Sequence, residues 1–198
     1  MKRTLTMQAI VWVALAAALT LSLTTRAGAV QGDKLIRLLD DCEPVSFNAV
    51  LGDGTCVGNG HTTFDEFIAE LAATQDVHKW RNQPSDMKLN VGRSTLVENR
   101  GGETHTFTPV AEFGGGFVPD LNGISGNPVP APECLNFASI VFIPAGATEE
   151  GPTAGSDISV GSHKYQCCIH PWMRTIIEVR APGGQVSPAS SSKAAHHH

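Results

Sequence analysis

The sequence predicts an all-β domain, a Greek-key β-sandwich with one N-terminal helix before it and a long loop insertion within it. Three observations lead there. Short β-like runs recur downstream of Trp80, at residues 87–91, 95–97, 104–108, 140–143, 164–167 and 175–179. Gly and Pro separate most of them, as turns between strands require. Helical spacing is confined to one segment near residues 63–73.

The elements follow in order. Lys2 and Arg3 precede an apolar run from Ala9 to Leu23, and Ala27-Gly28-Ala29 supplies small residues for cleavage. Residues 1–29 therefore read as an export signal, cleaved after Ala29. The apolar run is short for a membrane span. Residues 30–77 form an N-terminal extension with apolar stretches, Gly-rich turns and one helix. Thr63 and Glu66 have capping-box spacing, and Phe64, Phe67, Ile68 and Leu71 follow on one face. Residues 78–182 form the β domain. Within it, residues 113–132 are rich in Gly, Pro and Asn and read as an ordered insertion without a helix. Gly114-Gly115-Gly116 lacks the Lys-Ser/Thr of a phosphate loop. Residues 183–198 are Gly/Pro/Ser/Ala-rich and are expected to be a disordered tail, ending in His196-His197-His198.

Charge narrows the partners. The formal net charge is −5, and loss of Lys2, Arg3 and Arg26 with the leader takes it to −8. An acidic surface disfavours nucleic acid and anionic membranes. It favours basic protein partners with a salt-dependent on-rate.

The chemistry is concentrated in Cys167-Cys168-Ile169-His170-Pro171-Trp172-Met173. A thiolate, an imidazole and a thioether three residues apart can converge when the loop bends back, and Pro171 stiffens that bend. With one remote imidazole, for which His105 is the candidate, they make the ligand set of a mononuclear type 1 copper site. The expected ligands are His105, Cys167, His170 and Met173. The expected cofactor is one copper ion cycling between Cu(I) and Cu(II).

The segment from Gly161 to Arg174 resembles the ligand loop of cupredoxins, the type 1 blue copper proteins, and is most similar to amicyanin and plastocyanin-like domains. It shares their Cys-x2-His-Pro-aromatic-Met-Arg spacing. Upstream, Leu96-Val97-Glu98-Asn99-Arg100 reaches His105 six residues after Asn99, which is similar to the amicyanin strand before its first histidine ligand. The resemblance spans roughly residues 78–180. It departs in Thr106, where Asn is common, in the longer stretch between His105 and Cys167, and in the extra thiol of Cys168. It implies a periplasmic or secreted electron carrier. Redox proteins such as a c-type cytochrome or a dehydrogenase would be its partners.

Rival readings explain less. A dinuclear copper centre needs both thiols on one side, whereas adjacent strand residues point to opposite faces. Multicopper chemistry needs paired His-x-His motifs, and structural zinc sites use no Met. Five cysteines leave one unpaired in an oxidising compartment, which the ligand role of Cys167 absorbs. Gly52-Asp53-Gly54 can turn the chain so that Cys42 meets Cys56, leaving Cys134 for Cys168. Cys134 with Cys42 or Cys56 stays open.

Several residues are expected to be structural. His61 and His78 read as surface or capping residues, His163 as a packing residue, and Glu103 as a solvated turn acid. Pro171 and Trp172 are expected to flank an exposed edge of His170. No substrate-pocket signature or general base appears, so a carrier is expected rather than an enzyme. A copper-delivery protein without redox turnover is the alternative.

Overall fold

The computed structural model describes residues 34–182. The expected leader, with its cleavage after Ala29, and the expected tail with its three histidines lie outside the described residues.

Two four-stranded sheets dominate. The first has strand order β2-β1-β4-β8, from β1 (Lys34–Leu39), β2 (Arg81–Gln83), β4 (Thr95–Asn99) and β8 (Thr148–Glu150). The second has order β3-β10-β9-β6, from β3 (Asp86–Asn90), β6 (Thr108–Val110), β9 (Gly161–Gln166) and β10 (Arg174–Arg180). A short pair joins β5 (His105–Thr106) to β7 (Phe142–Ile143). β1 runs parallel to β4 and β3 parallel to β10, while the other pairs are antiparallel.

Period-2 alternation builds the core. β3 buries Met87 and Leu89, and β10 buries Ile177 and Val179, with more exposed residues between them. These side chains share one cluster with Ile36 and Leu38 of β1 and Val97 of β4. The two sheets therefore bury their apolar faces together, as in a sandwich.

Three α-helices occur among the described residues, where one was expected: α1 (Pro44–Leu51), α2 (Phe64–Thr74) and α3 (Pro119–Ile124). α2 has the predicted capping box, with Thr63 accepting from the Glu66 backbone N–H and Glu66 from that of Thr63. α1 begins at Glu43, whose carboxylate accepts from Val45 N at 2.9 Å and Ser46 N at 2.7 Å, with Pro44 in the first turn. Its eight residues are too few to display a helical period. α3 also starts on a proline, inside the insertion expected to lack a helix. Tertiary packing supports both short helices more than propensity does.

β1, β2 and β8 were not anticipated. β1 was read as part of an extension, yet it lies inside the first sheet. β8 is Thr-Glu-Glu, exposed throughout, and offers no apolar pattern. Aromatic packing fixes the helices near the sheets. The Phe47 and Trp80 rings stack at 5.8 Å, and Phe67 lies 4.8 Å from Trp80. All three are at most 2% exposed, and each such burial contributes about 1.5–3 kcal/mol.

Candidate metal centre

His105 opens β5, directly after the turn from β4. Asn99 shapes that turn. Its side-chain Nδ2 donates to the carbonyls of Glu103 and Ile143, both at 2.8 Å, and its Oδ1 accepts from Gly101 N at 2.9 Å. Gly101 is required by close approach, since a Cβ there would run into the Asp40 carboxylate. Cys167 follows β9, and His170 and Met173 lie on the loop into β10. That loop closes on itself: Cys167 N donates to Met173 O and Met173 N to His170 O, each at 2.9 Å. Arg174 Nε holds the Pro171 carbonyl at 2.7 Å.

The side chains converge. Nδ1 of His105 and Nδ1 of His170 each lie 3.9 Å from Cys167 Sγ. The three ligand atoms are within 4.8 Å of one another. His105 and Cys167 are fully buried and His170 is 2% exposed. Met173 is fully buried in the same cluster as Cys167. Thr106 N–H points at Cys167 Sγ from 3.4 Å, and Thr106 Oγ1 accepts from Cys168 N at 2.7 Å.

Both imidazoles are backed by carboxylates. His105 Nε2–H donates to Asp40 Oδ2 at 2.8 Å. Asp40 also accepts from the backbone N–H of Gly102, Glu103 and Cys42. His170 Nε2 lies 3.6 Å from Glu103 Oε2, which accepts the indole N–H of Trp80 at 2.6 Å. Such outer carboxylates fix ring orientation and raise ligand basicity.

Charge follows from these contacts. Burial opposes ionisation of the Cys167 thiol, but His105 and His170 overcome it and hold the group well below the usual thiol range. Burial likewise opposes charge on His105, yet Asp40 and Cys167 prevail and hold its pKa up at about 10. For Asp40, the His105 bond and backbone donors outweigh burial and lower the carboxyl. Glu103 goes the other way, because burial raises it and His170 and Trp80 offset that only in part.

The donor set fits a soft or borderline transition metal. A metal sits about 2 Å from an imidazole nitrogen and about 2.3 Å from a thiolate, which spans Nδ1–Sγ gaps of the observed size. One thiolate and two imidazoles, with a buried thioether nearby, are donors of the kind such metals take. Among the described residues this is the one cluster of three such donors.

The structure thus brings together three of the four predicted ligands, and joins the fourth to Cys167 and His170 through the backbone. It also makes both disulfides favoured by the sequence, Cys42–Cys56 and Cys134–Cys168, leaving Cys167 as the free thiol. The insertion packs beside this loop. Phe117 N donates to Cys168 O at 2.9 Å, and a Cβ on Gly116 would meet that carbonyl. His78 and His163 have partners of their own. His78 pairs with Glu70 at 2.8 Å, and His163 bonds the Ser159 carbonyl at 2.8 Å.

Two expectations are corrected. Glu103 is not a solvated turn acid; it is 5% exposed and wedged between Trp80 and His170. Nor does His170 show an exposed edge. Phe67 and Trp172 stand edge-on to it at 6.2 and 5.5 Å. Asp40 was not singled out at all. It precedes Asp41 and Cys42, and such an acidic pair reads as a solvated turn.

No family model matches the chain, and no curated protein does. Among solved structures it is similar to a purple cupredoxin from Nitrosopumilus maritimus, at 13% identity over 75% of this chain and 100% of that one, with a TM-score of 0.41. It is similar to an oxidised amicyanin variant at 12% identity, over 78% and 88% of the two chains, with a TM-score of 0.37. A copper-containing nitrite reductase from Thermus scotoductus aligns at 19% identity over 52% of this chain and 20% of that one, with a TM-score of 0.33. Among the described residues no helix is long and apolar enough to cross a membrane.

Proposed function

We propose that this chain is an exported mononuclear type 1 copper protein of the cupredoxin kind, carrying single electrons between redox partners. The observation that supports it most is the pair of 3.9 Å approaches of two imidazole Nδ1 atoms to one buried free thiol. Copper would supply the one-electron couple. Cys167, His105 and His170 would hold it, with Met173 as the weak fourth ligand.

The protein's own contribution is rigidity. Asp40 holds the His105 ring by its far nitrogen, while Glu103 stands behind His170. The loop hydrogen bonds between Cys167, Met173 and His170 keep the spacing of the other three donors. A ligand cage that does not move on reduction suits electron transfer. Thr106 N–H, aimed at the sulfur, tunes the thiolate. In this reading the protein is a carrier rather than an enzyme. Export to the periplasm and a basic-faced partner, such as a c-type cytochrome or a dehydrogenase, accord with the leader and the acidic charge.

Addition of Cu(II) to the purified protein tests the reading. An intense thiolate-to-copper absorption band in the visible is expected, with reversible voltammetry. A colourless protein that binds copper without a voltammetric wave would sink it. The delivery alternative has less support, because handing over the ion needs an accessible ligand and these three donors are at most 2% exposed.

A further inference from the structure

A cavity of about 840 Å³ opens beside the metal centre. Phe47, Phe64, Phe67 and Ile68 of α1 and α2 line one part of it, and Leu121 and Ile124 of α3 line another. Glu103 and His170 supply buried polar groups to its lining. The volume lies within the usual range for small-molecule sites, and so does the pattern of apolar walls with few polar groups.

Glu103 makes this more than an apolar hollow. Its side chain is 7% exposed. Trp80 Nε1 and His170 Nε2 both approach the same oxygen, Oε2, at 2.6 and 3.6 Å. Among the described residues no hydrogen bond uses Oε1. Oε1 is therefore free to accept a hydrogen bond from a guest that reaches it. The rings nearby favour an aromatic guest. Phe47 and Phe64 already meet edge-to-face at 5.3 Å, an arrangement that a further ring can extend.

We propose that this cavity binds a small, neutral, hydroxylated aromatic molecule, with its ring against the partly exposed Phe64, Ile68, Leu121 and Ile124 and its hydroxyl donating to Glu103 Oε1. A neutral guest is favoured because burying a full charge against these apolar walls is expensive. The site extends beyond the proposed copper chemistry and does not require an ion.

Methyl NMR on the full-length protein tests it, with phenol, toluene and benzylamine as probes of similar size. Ile68, Ile124 and Ile169 all line the cavity and report occupancy. Phenol is expected to shift their methyl signals saturably and to bind about tenfold tighter than toluene. Ile68→Trp or Leu121→Trp, each filling the cavity, should abolish the shifts. Glu103→Gln should remove most of the preference for phenol over toluene. Equal or tighter binding of toluene overturns the proposal, and so does tightest binding of benzylamine. So do shifts that survive both filling variants, or that follow protein concentration instead of probe concentration. The same titration of Cys167→Ser separates the two readings. Loss of copper binding in that variant should leave the phenol shifts unchanged.

Discussion

The carboxylate of Asp40 and the far ring nitrogen of His105, 65 residues apart in the chain, meet at 2.8 Å with almost no solvent on either. β1 and β4 make this contact. Their parallel register sets Leu38 opposite Asn99, and Arg100 N then donates to Leu38 O at 2.8 Å. Two residues further along, Asp40 lies beside the turn that carries Gly101, Gly102 and Glu103. Its carboxylate caps that turn and orients the imidazole that follows it.

Removing this carboxylate should therefore be felt twice. Asp40→Ala is expected to destabilise the metal-free protein by about 3–5 kcal/mol, as breaking a buried pair does. Among molecules that still fold, copper affinity should drop about 10–100-fold. Denaturant melts and competition with a chelator measure the two effects. Unchanged affinity would show that Asp40 serves the turn alone.

The adjacent cysteines should behave oppositely. Cys167→Ser should abolish the visible band on Cu(II) addition. Cys168→Ser should keep it, while loss of the disulfide across 34 residues costs about 3–4 kcal/mol. A band lost in Cys168→Ser but kept in Cys167→Ser would reverse the assignment of the ligand thiol.

Buried ionisation predicts a pH signature in the metal-free protein. His105, raised from 6.5 to about 10, contributes stability that is full below pH 6.5 and lost as pH rises through about 10. Cys167, lowered well below 9.0, contributes stability that is full above pH 9.0 and lost as pH falls through its folded value. Between pH 6.5 and 9.0 the two slopes oppose each other. Cys167→Ser loses the opposing slope and also part of what raises His105, leaving Asp40 alone to do so. From pH 6.5 upward it should begin to lose stability where the parent stays nearly level, and finish doing so well before pH 10, as read by urea unfolding at a series of pH values. Parallel profiles would argue against a folded-state thiolate.

Phe67 links the helical cover to the centre, with its ring 4.8 Å from Trp80 and 6.2 Å from His170. Phe67→Ala should cost about 3–5 kcal/mol, as large core truncations do. It should also admit water to His170, which faster exchange of the ring protons would report by NMR. A loss below about 1 kcal/mol would mean that the cover collapses to fill the gap.

How much of this was readable in advance depends on sequence distance. Cys167, His170 and Met173 share one short loop, so their residue types and spacing disclose the candidate site without a fold. The Thr63–Glu66 capping box is local as well, and α2 begins where it indicates. The runs at 86–90 and 174–180 alternate plainly because each buries one face. β8 could not be read that way, since neither of its faces is buried.

What the chain determined alone, then, was its local chemistry: a thiol, an imidazole and a thioether on one bend, and strands whose pattern declares an inward face. Folding decided which acids would leave water. Asp40 and Glu103 look like solvated acids in the sequence, because nothing local compensates a buried carboxylate. Their compensation comes from His105, His170, Trp80 and backbone N–H groups, most of them brought within reach only when β1 pairs with β4 and the helices close over the loop.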